Sequence, residues 1–166
     1  MNVRYQRQTA VEQIGSNGQQ ALADGRVLLV GLGGLGCVVA SQLVGAGVGE
    51  LRLVEHDCVD VSNLHRQHLY REHDAGKPKV ELAYAALHAL NSHVNLPHFN
   101  TRIHPGNACE LASGVDLIID AADNFATSYL LSDVSMQLSI PLLSASVNQT
   151  FGYVGLFLSL IHISEP

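Results

Sequence analysis

The stretch VLLVGLGGLG, residues 27–36, decides the fold. Its four leading apolar residues, 27–30, are typical of a short strand buried on both faces of a parallel sheet. Gly31, Gly33 and Gly36 follow with the spacing G-x-G-x-x-G, and residues 34–46 predict a helix. A strand, a glycine-rich turn and a helix in this order match the fingerprint that binds the phosphates of a dinucleotide.

Each glycine of this turn has a predicted role. Gly31 permits the tight turn, Gly33 lets a phosphate approach the backbone, and Gly36 lets helix and strand pack closely. Gly34 removes a second side chain, which opens more backbone N–H groups to an anion at the helix N-terminus. Glu55, 19 residues after Gly36, ends the next predicted strand, where a carboxylate accepts hydrogen bonds from ribose hydroxyls. The fingerprint predicts adenosine with phosphates, and it does not distinguish a dinucleotide from ATP.

Composition excludes several classes of protein. The chain has 166 residues, of which 47% are apolar and 14% charged, so we expect one domain with a real core. A net charge of −6 without a basic run argues against a nucleic-acid partner. We find no signal-peptide pattern and no apolar run long enough to span a membrane. Three scattered cysteines without a CxxC pair indicate neither disulfides nor zinc, and they favour the cytoplasm.

The order of predicted elements gives the fold class. Strand and helix patterns alternate along the chain, which predicts an α/β, Rossmann-like fold with a mainly parallel sheet and helices on both faces. Residues 57–76 are polar, lack a clear period and predict a long functional loop. Beyond the first unit, the predicted strands are 51–54, 95–103, 115–119, 142–146 and 153–157, and the predicted helices are 79–90 and 124–138.

Two basic motifs extend the site. VSNLHRQ, residues 61–67, carries Arg66, which can grip phosphate oxygens bidentately, and Asn63, which can donate to one more. GKPK, residues 76–79, places Lys79 at a helix start, where the helix dipole disfavours a cation unless an anion lies close. The alternative is that Lys77 and Lys79 are solvated surface residues.

The motif DAADN, residues 120–124, ends a buried strand. Open parallel sheets bind ligands at that edge, so Asp123 and Asn124 are expected to face the phosphates. A carboxylate beside polyphosphate is a natural Mg²⁺ ligand, which makes Asp123 the candidate metal ligand. The alternative is that these residues only cap the following helix, and both roles can hold if each is filled by a different residue.

Taken together and in this order, these motifs resemble the ThiF/MoeB/HesA-type adenylyltransferases, relatives of the ubiquitin-activating enzymes. RYQRQ at residues 4–8 and PLLSASVNQTFGYVGLF at residues 141–157 extend the resemblance over nearly the whole chain. The resemblance implies that the C-terminal Gly-Gly carboxylate of a small β-grasp sulfur-carrier protein attacks the α-phosphate of ATP, with Mg²⁺ present, and pyrophosphate leaves. The carrier and its pathway stay open, thiamin and molybdenum-cofactor synthesis being two possibilities.

The resemblance also assigns roles. Arg66, Lys79 and Asp123 are the expected catalytic residues within one chain, with Asp123 binding Mg²⁺. Glu55 stands where the family commonly has Asp and would bind the ribose. Arg7 matches the arginine that reaches into the partner's site of a homodimer. The remaining residues expected to hold ATP are Gly31, Gly33, Gly34, Gly36, Asn63 and Asn124.

Two other functions compete with this one. An NAD-dependent oxidoreductase would use the same fingerprint and Glu55, but it has no need for Arg66, Lys79 and Asp123 at one edge. A non-catalytic partner subunit is the second alternative, and the intact basic and acidic set argues against it. His56, His65, His68 and His73 share the polar loop, and we expect a phosphate-facing or solvent-facing loop there rather than a metal site.

Two family features are missing from this sequence. Many members carry two CxxC pairs for a structural Zn²⁺, and some carry a later cysteine that links to the carrier; Cys37, Cys58 and Cys109 match neither. The ending LSLIHISEP, residues 158–166, resembles translated adapter sequence. We therefore expect residues 1–157 to be an ATP-binding adenylyltransferase domain, incomplete at its C-terminus, and residues 158–166 to be an artefactual or disordered tail.

Overall fold

A mixed six-stranded sheet forms the centre of the computed structural model, which describes residues 3–158. The strand order is β3-β2-β1-β4-β5-β6, with β6 antiparallel to β5 and the other neighbours parallel. This architecture confirms the predicted α/β, Rossmann-like class. The strands are β1 (Arg26–Val30), β2 (Glu50–Glu55), β3 (His98–Asn100), β4 (Leu117–Asp120), β5 (Leu142–Asn148) and β6 (Phe151–Phe157).

Helices cover both faces of the sheet. Neighbouring residues of a strand point to opposite faces, and in β1 Leu28 and Leu29 accordingly belong to two separate apolar cores. The core around Leu29 includes α3 and α4, and the core around Leu28 includes α5 and α6. The helices are α1 (Gln6–Thr9), α2 (Gly15–Asp24), α3 (Gly34–Ala46), α4 (Lys79–Leu90), α5 (Ala108–Ala112) and α6 (Phe125–Leu138).

The chain reverses its direction across the sheet between β1 and β4. From β1 it runs outward through β2 to β3, and it then returns to the other side of β1 for β4. The loops that leave β1 and β4 therefore separate at their carboxyl ends, and such a switch point is where open α/β sheets bind ligands. Gly31 follows β1 with φ +93°, and a Cβ there would lie 2.7 Å from the carbonyl oxygen of Ala121, which follows β4.

The described elements agree with several predicted bounds and differ at others. The helices predicted at 34–46 and 79–90 are confirmed. The strand predicted at 95–103 shortens to His98–Asn100, because Pro97 has no N–H and only its carbonyl joins the ladder, accepting from Leu53 N–H at 2.8 Å. Helices α1, α2 and α5 were not predicted. Residues 159–166, most of the predicted tail, lie outside the described range.

The N-terminal segment packs at the C-terminal end of α3. Gln8 donates to the carbonyl of Ala46 at 3.2 Å, and the Tyr5 hydroxyl accepts from the buried amide of Asn91 at 2.8 Å. Gly47 ends α3 in the left-handed region, with φ +83°, directly against the Tyr5 ring. Over residues 3–158, none of the helices has both the length and the apolar character that crossing a bilayer requires.

Candidate nucleotide-binding site

Hydrogen bonds to the backbone N–H and carbonyl of Leu32 hold the glycine-rich turn after β1 in place. The Leu32 N–H donates to Oε2 of Glu55 at 2.9 Å, and its carbonyl accepts from the Tyr70 hydroxyl at 2.9 Å and from the Cys37 thiol at 3.3 Å. Burial raises the pKa of both Cys37 and Tyr70, so both groups stay protonated and able to donate at neutral pH. The turn is therefore fixed before any ligand binds.

The four glycines of the turn have different surroundings. A Cβ on Gly36 would collide with the carbonyl oxygen of Gly31, so the helix can approach the turn only without a side chain there. Gly34 lies under the aliphatic part of Arg66, whose Cδ would be 3.2 Å from an added Cβ. At Gly33 the nearest atom to an added Cβ is Nε2 of Gln67, at 3.8 Å, which leaves room for a ligand.

The Glu55 carboxylate is buried and already accepts three backbone hydrogen bonds. Besides the bond from Leu32, its Oε1 accepts from the N–H groups of His56 at 2.7 Å and Asp57 at 3.0 Å. A carboxylate offers about four acceptor positions, so one position is left for a ribose hydroxyl. The contact of Glu55 with a ribose stays a prediction. The structure shows a further, structural role for Glu55, which holds the glycine turn through Leu32.

Arg66 is held above Gly34 by its neighbours in the polar loop. Its Nη2 donates to Oδ1 of Asn63 at 2.8 Å, and its Nη1 lies 3.2 Å from Nε2 of His65. His65 Nδ1 lies 3.0 Å from the carbonyl of Ser62, which requires Nδ1 to donate and leaves Nε2 as the acceptor for Arg66. The guanidinium is thus oriented, with its remaining donors available to an anion at the turn.

Lys79 is buried, and it is not the solvated surface residue that the alternative interpretation required. Its side chain is 6% exposed, and Nζ lies 3.4 Å from Oδ2 of Asp57. Asp57 in turn donates its N–H to the Glu55 carboxylate, which accepts from Leu32 N–H in the glycine turn, so Lys79 is linked to the turn through these two acids. Lys77 does fit the surface interpretation: its side chain is 54% exposed and pairs with Asp74 at 3.2 Å.

The loop after β4 separates the two roles expected of its polar residues. Asn124 is the N-cap of α6, because its Oδ1 accepts from the N–H of Thr127 at 3.0 Å. Asp123 is exposed, and its carboxylate forms no hydrogen bond or ion pair with the rest of residues 3–158. Asp123 comes two residues after Ala121, whose backbone lies against Gly31, so the loop that carries Asp123 starts beside the turn. These properties fit a ligand for a divalent cation.

Arg7 is not brought to the glycine turn of its own chain. It lies exposed on α1, which packs against the C-terminal end of α3, whereas the turn precedes Gly34 at the other end. At 1.5 Å per residue, the two ends of α3 are about 18 Å apart. A contribution of Arg7 to a site of this kind therefore requires a second chain.

The histidines of the polar loop do not gather around a common point. Within residues 3–158, the group that could share a metal ion consists of Glu55, His56 and Asp57. Glu55 is occupied by backbone N–H groups and Asp57 pairs with Lys79, so this cluster is accounted for without a metal. Cys37, Cys58 and Cys109 are free thiols.

Gln67 borders the glycine turn, and no role was predicted for it from the sequence. It stands in the VSNLHRQ motif, but only the folded polar loop buries it, at 4% exposure, against Gly33. A glutamine within a polar motif is ordinarily expected to be solvent-exposed, so the burial of Gln67 could not be predicted from the motif.

Proteins with similar sequences are named for adenylyl transfer. The sulfur carrier protein adenylyltransferase of Thermus thermophilus is 44% identical over 154 residues, which cover 93% of this chain and 57% of that protein. The adenylyltransferase and sulfurtransferase uba4 of Aspergillus terreus is 49% identical over 150 residues, 90% of this chain and 31% of that protein. The chain thus spans between about a third and somewhat over half of these relatives.

Solved structures show the same fold. Escherichia coli MccB with ATP superposes with a TM-score of 0.87 at 26% identity, over 96% of this chain and 49% of that one. PaaA superposes with a TM-score of 0.82 at 30% identity, over 93% of this chain and 54% of that one. The ThiF family matches residues 5–163. With its glycine turn, buried lysine and free aspartate in the expected order, the chain belongs to the ThiF family of adenylyltransferases.

Proposed function

We propose that this chain binds ATP and adenylates the C-terminal carboxylate of a small, Gly-Gly-tailed sulfur-carrier protein. The observation that carries the proposal is the position of Arg66 above Gly34. The buried Lys79 adds a second cation, paired with Asp57, whose N–H donates to the Glu55 carboxylate that holds the turn. A hydride-transfer enzyme needs no such pair of cations at the glycine turn. A triphosphate does, because its charge must be neutralised before an anionic carboxylate can attack it.

The reaction transfers the AMP moiety of ATP. A carboxylate oxygen of the carrier attacks the α-phosphorus and forms a C–O–P bond, and the bond from the α-phosphorus to the bridging oxygen breaks. Pyrophosphate leaves with that electron pair, and an acyl-adenylate remains. A carboxylate is ionised at neutral pH, so no general base is needed. The chain supplies placement and positive charge through the glycine turn, Arg66 and Lys79.

Asp123 is the residue that would hold Mg²⁺. It is exposed, lacks a partner among the residues seen here, and follows the strand end that contacts Gly31. Bound Mg²⁺ would neutralise phosphate charge during the transfer. Asn124 leaves Asp123 free for this role because it provides the helix cap.

Arg7 would complete the site of a second copy of the chain. Its exposure on α1 and its distance from the turn of its own chain support a contribution across a homodimer. Arg7→Ala should then lose turnover and regain it in mixed dimers with a protein that carries Asp123→Ala. Absence of such complementation would contradict the cross-subunit role.

The test is ATP–pyrophosphate exchange with a Gly-Gly-tailed β-grasp protein, measured beside NADH binding by fluorescence. We expect exchange that depends on the carrier and on Mg²⁺, with no saturable NADH binding. NADH binding without exchange would favour the oxidoreductase, and ATP binding without exchange for any carrier would favour a non-catalytic partner subunit.

A further inference from the structure

The side-chain amide of Gln67 is buried without being used by the fold. Gln67 is 4% exposed, and its Oε1 is completely buried and has no hydrogen-bond partner in residues 3–158. Among the buried side-chain oxygen and nitrogen atoms of residues 3–158, it is the one that lacks a hydrogen-bond partner. Buried polar atoms are nearly always paired, so an orphan in the middle of a motif calls for a reason.

Folding alone gives no reason for an amide at this position. A carbonyl oxygen that loses water and gains no donor destabilises the folded state. An unbranched apolar side chain of the same length, such as methionine, would fill the space without that penalty. The reason for an amide at this position must therefore be an interaction with a group that is not part of the folded chain.

The other end of the amide points to the function. Nε2 of Gln67 lies 3.8 Å from the position that a Cβ on Gly33 would take, so it borders the space that Gly33 leaves open. The preceding residue, Arg66, covers Gly34 in the same way. Consecutive residues of the polar loop thus face consecutive glycines of the turn, one with a charged donor and one with a neutral donor.

We propose that Gln67 is a further nucleotide-binding residue, whose Nε2 donates to an oxygen of the phosphate held at Gly33. The inference rests on the proposed binding of ATP at this turn. The amide nitrogen must face the phosphate, because the carbonyl oxygen would be repelled by it. That orientation turns Oε1 into the interior, and the orphaned oxygen is the consequence.

The experiment compares Gln67→Met with the unaltered protein in two measurements. We expect Gln67→Met to unfold at the same or a higher temperature, because an unpaired buried oxygen is removed. We expect its Kd for ATP to rise about tenfold, the effect of losing one hydrogen bond to a charged group, with its Kd for adenosine unchanged. Gln20→Met, on the exposed face of α2, is the matched control and should alter neither.

Two outcomes would overturn this role. Gln67→Met that unfolds at a clearly lower temperature, or does not fold, would show that the fold does use the amide. Gln67→Met that binds ATP as well as the unaltered protein would show that the phosphate does not use it. Gln67→Glu keeps the shape and places a carboxylate at the phosphate, so it should weaken ATP binding more than tenfold, and unchanged affinity would also overturn the proposal. If the unaltered protein itself fails to bind ATP, the proposed function fails as well.

Discussion

Oδ1 of Asn63 accepts a 2.8 Å hydrogen bond from Nη2 of Arg66, three residues later in the same loop. The sequence predicted that both residues contact the triphosphate directly. In the structure Asn63 holds Arg66, and only its amide nitrogen is free to donate to a ligand. A guanidinium oriented in advance loses less side-chain entropy when a phosphate binds.

Removing this hydrogen bond should weaken ATP use and leave the fold intact. We expect Asn63→Ala to raise the KM for ATP about tenfold, since it frees the guanidinium and removes one donor. Both side chains are partly or fully exposed, so the unfolding temperature should change little. Asn17→Ala, at an exposed position of α2, is the control. An unchanged KM for ATP would show that Arg66 does not need the hydrogen bond to Asn63 for its function.

Alanine at two neighbouring glycines should have opposite consequences. At Gly34 the added Cβ meets only the flexible side chain of Arg66, and alanine favours a helix over glycine by about 1 kcal/mol. Gly34→Ala should therefore fold and bind ATP several-fold more weakly, because Arg66 is displaced. At Gly36 the added Cβ meets the backbone oxygen of Gly31, so Gly36→Ala should not fold normally.

Circular dichroism and ATP titration of the two glycine variants check these expectations. A stable, ATP-binding Gly36→Ala protein would contradict the observed approach of α3 to the turn. Gly34→Ala with unaltered ATP affinity would mean that the position of Arg66 above Gly34 is not the one used in binding.

Two adjacent residues after β4 should separate stability from catalysis. Asp123→Ala should abolish ATP–pyrophosphate exchange without altering the unfolding temperature, because its carboxylate has no partner in the described part of the chain. Asn124→Ala removes the N-cap of α6 and should lower the free energy of unfolding by about 1 kcal/mol. Near-normal exchange in Asp123→Ala would remove Asp123 from the site.

The polar loop should lose stability in acid through Asp74. Burial by itself would raise the pKa of this carboxyl, but the N–H of Arg71 and the ammonium of Lys77 outweigh it and the net shift is downward from 3.8. Because the pKa of Asp74 is lower in the folded than in the unfolded chain, its ionised carboxylate stabilises the fold at pH values above the unfolded pKa. This stabilisation is lost as the pH falls through the folded pKa.

Asp74→Asn tests this sign. The variant should unfold at a lower temperature than the unaltered protein at pH 7, and the difference should shrink as the pH falls below about 4. Lys77→Met, which removes only the ammonium partner, should show a smaller difference with the same trend. A difference that stays constant between pH 7 and pH 3 would mean that the ionised carboxylate contributes nothing.

The sequence predicted the elements that repeat a pattern. Helix α3 was predicted because it follows the glycine fingerprint, and α4 because its apolar residues recur at spacings of three and four; both agree with the observed bounds. Helix α2 was not predicted because its sequence contains two glycines and too few apolar residues to show a helical period. Helix α5 has only five residues, too few for a period to show.

The site was predicted as a set of residues and not as a set of contacts. Arg66, Asp123 and the glycines were predicted as site residues because their motifs, in this order along the chain, have a chemical meaning. The hydrogen bond from Leu32 to Glu55, the contact of Arg66 with Asn63, and the burial of Gln67 arise only when the polar loop folds onto the turn. Contacts between segments that are distant in sequence leave no local pattern to detect.

The central claim is that one glycine turn gathers the cations and the acid that handle ATP. A crystal structure of this protein with Mg²⁺ and a non-hydrolysable ATP analogue tests it most directly. We predict phosphate oxygens within about 3.2 Å of the backbone at Gly33 and Gly34, of Arg66, and of Gln67 Nε2, with Asp123 on the metal. Phosphates bound elsewhere, or Arg66 and Asp123 turned away from them, would contradict the account.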